Sequence, residues 1–220
     1  MSPPPRGPAE RPSYARALDA YRRGDLTTAL RLLDGLDFER PTILRVRVLT
    51  RLGRLPEALR AAVDAPLEDA GDRERAELNT VYADVAVRLG RDDVATALDD
   101  AQLHVDATGA HTLAAELDTI RARHALIAGE LDAAETFANR VAAPGDDDAS
   151  GVPHRDHVRA EAFALLSRIA QSRGRLDAAA LRMRDAVDAG ERAPVRDRWI
   201  VAHARDALSA LQRLRGEQSS

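Results

Sequence analysis

Apolar positions along this 220-residue chain recur at helical spacing. The stretches TILRVRVLTRLGRLPEALRAAVDA and AFALLSRIAQSRGRLDAAALRMRDAVDA show the dominant arrangement: a helix-period run, a glycine, then a second helix-period run. This predicts paired helices over 13–23 and 26–36, 40–52 and 55–64, 73–89 and 91–107, 111–128 and 131–142, and 154–173 and 175–188, then an unpaired helix from Pro194 to Arg215. Local punctuation agrees. Asp72 is placed to cap the helix after it, Thr108-Gly109 to end the sixth helix, and Ala193-Pro194 to set a proline in the first turn of the last. The stretch PGDDDASGVP, Pro144 to Pro153, cannot be helical throughout. Because hairpins on both sides carry the same motif, it reads as an insertion between stacked units rather than a domain seam. Residues 1–12, with five prolines, predict a disordered leader, and residues 216–220 a frayed tail.

The glycines belong to one short motif that occurs five times: Gly24-Asp-Leu-Thr-Thr-Ala29, Gly53-Arg-Leu-Pro-Glu-Ala58, Gly90-Arg-Asp-Asp-Val-Ala95, Gly129-Glu-Leu-Asp-Ala-Ala134 and Gly174-Arg-Leu-Asp-Ala-Ala179. All five read Gly-x-x-x-x-Ala, and four place Leu two residues after the glycine. Glycine takes the left-handed conformation that ends a helix without a Cβ clash, and the small alanine lets the second helix press closely on the first. Five helix-turn-helix hairpins follow. The fold is all-α whether they stack as repeats or form an irregular bundle in which the glycines are ordinary caps.

In the spacing of small residue, apolar residue, Gly and Ala, the motif resembles the tetratricopeptide repeat, over Ser13 to Ala189. With the glycines aligned, the family's small position in the first helix falls on Ala17, Val46, Ala83, Ala122 and Ser167. Its large apolar position falls on Ala20, Leu49, Ala86, Ala125 and Ala170, four of them smaller than the family's usual residue. Its alanine near the end of the second helix falls on Leu36, Ala65, Gln102, Val141 and Ala186. Glycine spacings of 29, 37, 39 and 45 mark irregular, lengthened repeats. The resemblance implies a right-handed α-solenoid of about five hairpins over 13–189, with residues 190–215 as a capping helix. That helix presents Ile200, Ala204, Ala207, Leu208, Leu211 and Leu214 to the last hairpin, and the only tryptophan, Trp199, is expected to pack there too.

Composition narrows the chemistry. The chain has no cysteine, hence no disulfide, thiolate nucleophile or Cys-ligated metal, and no lysine, hence no Walker A loop and no Schiff-base lysine. No HExxH, GxSxG or GxGxxG occurs. His154 and His157 lie one turn apart beside Asp146, Asp147 and Asp148, but a convincing third metal ligand is lacking. The reading is therefore non-enzymatic, with no cofactor and no metal. No apolar run approaches the ~20 residues of a membrane span and no apolar leader segment is present, which points to the cytoplasm. The net charge of −4 conceals a chain that is +5 over 1–60, −13 over 61–150 and +4 over 151–220. So acidic a middle argues against direct nucleic-acid binding.

The resemblance also implies a groove lined by the first helix of each hairpin. The inward positions fall on Arg11, Tyr14, Leu18 and Tyr21, then Arg40, Ile43, Arg47, Thr50 and Arg51, then Glu77, Thr80, Asp84, Val87 and Arg88. In the fourth and fifth hairpins they fall on Glu116, Thr119, Arg123, Leu126 and Ile127, and on Glu161, Ala164, Arg168, Gln171 and Ser172. One row reads Arg47, Asp84, Arg123, Arg168, and arginine forks there could grip carboxylates of a protein segment. The competing reading pairs these arginines with Glu77, Asp84, Glu116 and Glu161 to stiffen the stack. The expectation is a protein-interaction module. The alternative is a sensory or regulatory repeat domain that binds a peptide or small molecule.

Overall fold

The computed structural model describes residues 10–36, 38–66, 70–143, 155–193 and 198–218. The side chains of Glu10, Arg11, Arg155, Arg198, Trp199 and 215–218 fall outside that description, as do residues 1–9 of the leader expected over 1–12, the 144–154 stretch with its Asp run and His154, and Pro194; residues 10–12, expected in the leader, belong to the first helix. Among the described residues the chain forms eleven α-helices and no strand. They are α1 (Glu10–Arg22), α2 (Leu26–Leu33), α3 (Glu39–Arg51), α4 (Leu55–Val63), α5 (Asp72–Leu89), α6 (Val94–Thr108), α7 (His111–Ile127), α8 (Leu131–Ala142), α9 (Arg155–Ser172), α10 (Leu176–Arg192) and α11 (Arg198–Gln218).

The five motif glycines end α1, α3, α5, α7 and α9, all with positive φ between 62° and 80°. Each turn closes with the same pair of backbone bonds. The glycine N–H donates three residues back, Gly24 to Tyr21 and Gly129 to Leu126 for example, and the next N–H donates five back, Asp25 to Ala20 and Glu130 to Ala125. This is the Schellman geometry, which satisfies carbonyls that a helix end otherwise leaves bare. The five carbonyls reached from five residues away belong to Ala20, Leu49, Ala86, Ala125 and Ala170, so one residue both closes the turn and packs beneath it.

Packing follows from the small residues. Ala17, Val46, Ala83, Ala122 and Ser167 are wholly buried, and so are the motif alanines Ala29, Ala58, Ala134 and Ala179. Side chains this short let helix axes approach to the near end of the ~8–10 Å range. Ser167 adds a bond across the hairpin, its Oγ donating to the Ala179 carbonyl at 2.8 Å.

The third hairpin departs from the motif. Ala95 is exposed, and α6 begins four residues after Gly90 rather than two. Val94, Ala97 and Ala101 take the buried places that Leu26, Ala29 and Leu33 hold in α2, each two residues later after its glycine. The cause is Asp92, which stands where the other motifs have Leu and cannot serve as the first buried residue of the helix. Other boundaries differ too. Asp72 is the first residue of α5 rather than its cap, a place held by Gly71, and α11 runs on to Gln218 where a frayed tail was expected after Arg215.

The described chain divides into two compact units, α1–α6 ending at Thr108 and α7–α11 beginning at Gly109. Within the first, α1–α2, α3–α4 and α5–α6 pair, α2 packs on α3 and α4 on α5, and α1, α3 and α5 are neighbours in turn. Ile43, Val46, Leu49, Ala58, Ala62, Leu78, Val81 and Val85 form a core shared by α3, α4 and α5. The second unit repeats the scheme: α7–α8 and α9–α10 pair, and α9 packs on both α7 and α8. Val141 and Ala142 of α8 share a core with Val158, Ala162 and Leu165 of α9, so the 144–154 stretch joins elements of one core and is no seam.

The last helix packs on α10 and α9 of the fifth hairpin. Ile200, Val201, Ala204 and Leu211 of α11 are buried against α9 and α10, while Leu214 stays exposed. Gly190 sets the distance, because a Cβ built there would lie 2.9 Å from a Val201 methyl. Two glycine substitutions therefore separate two costs. At Gly53, with φ +72° and open space where a Cβ would go, alanine should cost about 1 kcal/mol from backbone conformation alone. At helical Gly190, alanine is intrinsically the better helix former, yet overpacking against Val201 should make Gly190→Ala destabilising by roughly 1–3 kcal/mol. Urea unfolding checks both. Val201→Ala should recover much of the loss at Gly190 and none of that at Gly53.

Candidate functional site

The candidate residues lie on the odd-numbered helices, and each unit presents its own set. In the first unit, Tyr14 and Tyr21 are seven residues apart on one face of α1, both half-buried. On α3, Arg40 is exposed and Arg47 and Arg51 are half-buried. The Arg51 guanidinium lies over the Tyr21 ring, 4.3 Å from its centroid, a cation–π contact that joins α1 to α3. Arg40 gives Nε and Nη2 to one oxygen of Glu74 at 3.3 and 3.2 Å, joining α3 to α5.

Along α5, Glu77 pairs with Arg73 at 3.2 Å and Asp84 with Arg88 at 2.9 Å, one turn apart in each case. Burial pushes the Tyr14 phenol above its ordinary pKa. Nearby guanidiniums of Arg40, Arg22 and Arg47 oppose that shift, and the Glu77 carboxylate adds to it.

In the second unit Arg123 of α7 reaches Glu161 of α9 at 3.3 Å and is only 11 % exposed. The cross-helix ion pair expected as the competing reading thus holds for Arg123. Arg168, one repeat on, is exposed on α9. The row read as Arg47, Asp84, Arg123, Arg168 therefore contains residues in different circumstances: Asp84 paired with Arg88 one turn on, Arg123 paired across to α9, and Arg168 facing solvent.

Several positions assigned to the groove are closed. Ile43, Thr50, Thr80, Val87 and Thr119 are buried, and the three threonines donate to carbonyls four residues back on their own helices at 2.8–2.9 Å. The physical reason is that consecutive odd helices within a unit touch, so positions at the edge of the implied groove become the joint between helices.

Three polar constellations were not singled out from the sequence. At the lengthened third turn, Tyr82 donates to Asp93 at 3.0 Å and Arg91 grips the same carboxylate with two bonds of 2.8 Å. Asp118 of α7 lies between Arg140 of α8 at 3.4 Å and Arg121 at 3.7 Å. Its burial raises the carboxyl pKa even though both arginines lower it. Arg173 at the end of α9 pairs with Asp132 and Glu135 of α8. The Arg91–Asp93 pair and the Asp118–Arg121 pair, three residues apart on α7, had a local signal; the contacts of Tyr82, Arg140 and Arg173 depend on tertiary approach.

Among the described residues no group of three or more His, Asp or Glu is placed to hold a metal ion, and no helix is long and apolar enough to cross a membrane. Comparison with protein-family models, with curated proteins and with solved structures returns no match. What the structure establishes is the class: an all-α chain of helical hairpins in two units.

The third turn yields a pH prediction. Hydrogen bonds from Arg91, joined by that from Tyr82, hold the Asp93 carboxyl at about 2, below its ordinary 3.8. A depressed carboxyl stabilises the fold while ionised, so its contribution is complete above the ordinary value and fades as pH falls toward 2. Asp93→Asn should lower the urea midpoint near neutral pH, and its deficit against the parent should close on acidification. A deficit of constant size would assign the effect to shape rather than charge.

Proposed function

We propose that this chain is a non-enzymatic cytoplasmic interaction module, a right-handed α-solenoid of the tetratricopeptide kind that holds a segment of a partner protein on its odd-numbered helices. One observation carries the reading: the buried small residues are spent on joining helices within and between hairpins, while in the first unit charged and aromatic side chains collect on α1, α3 and α5 rather than on α2, α4 and α6. A surface of that kind recognises extended polypeptide by shape and by charge-assisted hydrogen bonds rather than by a deep apolar pocket. Arg168, exposed on α9, is the member of the arginine row best placed to meet a ligand, while Arg47 is half-buried and Arg123 is nearly enclosed with Glu161.

Selection of a displayed random peptide library on the intact protein tests this directly. The strongest peptides should slow backbone hydrogen exchange in the odd-numbered helices, and Arg47→Ala combined with Arg168→Ala should weaken them about tenfold with helicity and melting midpoint unchanged. Protection confined to the even-numbered helices, or no selectable peptide, would overturn the proposal.

A further inference from the structure

The sixth helix differs from its neighbours in the charge it carries. From Asp92 to Ile120 the chain runs 29 residues without an arginine, and α6 is the one helix among the described residues that has none. Its core line is Val94, Ala97, Leu98, Ala101 and Val105, and it packs on α5. The opposite side of the helix presents Thr96, Asp99, Asp100, Leu103, Asp106 and Ala107, all exposed. Leu103 stands in the middle of that side. At 68 % it is the most exposed large apolar side chain among the described residues. Asp99 and Asp106 lie one turn before and after it, and Asp100 flanks it on the other side. Among the described residues no arginine pairs with any of the three: Asp106 accepts only from the Gln102 amide of its own helix, and Arg91 is engaged with Asp93. Other helix faces mix signs. Arg73 and Arg88 answer Glu77 and Asp84 on α5, and Arg182 answers Asp185 near exposed Leu181 on α10. Solvation alone accounts for the aspartates of α6, but it gives no place to a leucine encircled by them.

We infer that the outer face of α6 docks a basic amphipathic helix of a partner protein, with Leu103 entering among the partner's apolar side chains and the partner's cations received by Asp99, Asp100 and Asp106. Charge complementarity fixes the class of occupant. A face of one negative sign repels nucleic acid and anionic lipid, and it admits a cationic polypeptide. The leucine fixes the need for apolar residues beside those cations, because an apolar anchor inside a charged rim is how a small interface concentrates its affinity. A helix suits the face better than a strand does. The backbone of α6 is spent on its own hydrogen bonds and has no edge to offer, while its side chains recur every three or four residues along about 10 Å. This inference goes beyond the docking of a segment on the odd-numbered helices: it concerns another face, and either can fail without the other.

Fluorescence anisotropy on the full chain tests the inference with three labelled peptides of about 18 residues, long enough to be helical. The first has Leu at every third or fourth position with Arg and Ala between, the second has Gln for each Arg, and the third has Ala for each Leu. The Leu/Arg peptide should bind at least about tenfold more tightly than either control, and more weakly as salt is raised. Leu103→Ala, at an exposed position in a helix that favours alanine, should weaken it about tenfold. Asp99→Asn combined with Asp100→Asn should weaken it about as much, with helicity unchanged. Leu181→Ala, at an exposed leucine of the other unit, should leave it unchanged. Equal binding of the Ala-for-Leu peptide would reduce the face to diffuse attraction of a polycation and overturn the inference, as would equal binding of the Gln peptide or indifference to Leu103→Ala. Hydrogen exchange separates the two readings. The Leu/Arg peptide should slow it in α6; slowing in the odd-numbered helices alone would refute docking on α6 and leave the other face standing.

Discussion

Close approach of helices is the constraint on which everything else in this protein depends. With so few aromatic side chains, no bulky residue can bridge a wide gap between elements, and a gap left unfilled forfeits dispersion contacts along its whole length. The chain resolves this by putting Ala, Val or Ser at the center of every hairpin, so that backbones rather than long side chains come into near contact. That choice dictates the turns. Two helices so close can be joined only by a short, sharply reversing link, and a glycine of positive φ followed by a bond reaching five residues back provides one. Gly190 applies the same principle where α11 lies against α10.

Small cores of this kind leave the polar surface a larger share in deciding which face meets which. The ion pairs are numerous, and singly they are weak. An exposed pair such as Arg88–Asp84 contributes at most about 1 kcal/mol, and less as salt rises. Their value lies in position. Arg40–Glu74 spans α3 and α5, Arg123–Glu161 spans α7 and α9, and Arg173 ties α9 to α8. Each joins one hairpin to its neighbour in the same unit, where apolar contact is thinner than inside a hairpin. Arginine suits that task, because its fork can hold a carboxylate by two bonds without the lone-charge hydration that a lysine would have to give up.

How much of this was legible in the sequence follows from the range of the forces involved. Turns and hairpins were legible because their causes are local: a glycine, a flanking helical period and a small residue at fixed spacing. Val94 was legible in principle as well. It is the first apolar residue after Gly90, and Asp92 in the usual leucine place signals a longer link, but a rule anchored on Ala95 concealed it. The closed threonines and the enclosure of Arg123 were not legible. Whether a polar position faces a groove or the joint beside it depends on a rotation of a few tens of degrees about a helix axis, which the packing of a neighbour decides. The break between Thr108 and Gly109 carries no mark beyond an ordinary helix end, since the same Thr-Gly signal would serve equally well inside a continuous stack.

The tyrosines of α1 show where the two kinds of reasoning meet. Their spacing puts them on one helix face, and composition says that a core of alanine and leucine has no use for a phenol. Neither fact specifies what the phenols touch. The approach of α3 brings Arg40, Arg47 and Arg51 to them, and that approach is itself set by Ala17, Ala20 and Val46, wholly buried residues with no charge and no role at a surface. A larger residue at any of those three places would push the helices apart and separate Arg51 from Tyr21, although it touched neither. The polar face of the first unit is therefore a consequence of its least conspicuous side chains, and its chemistry is only as well ordered as the helix contact beneath it.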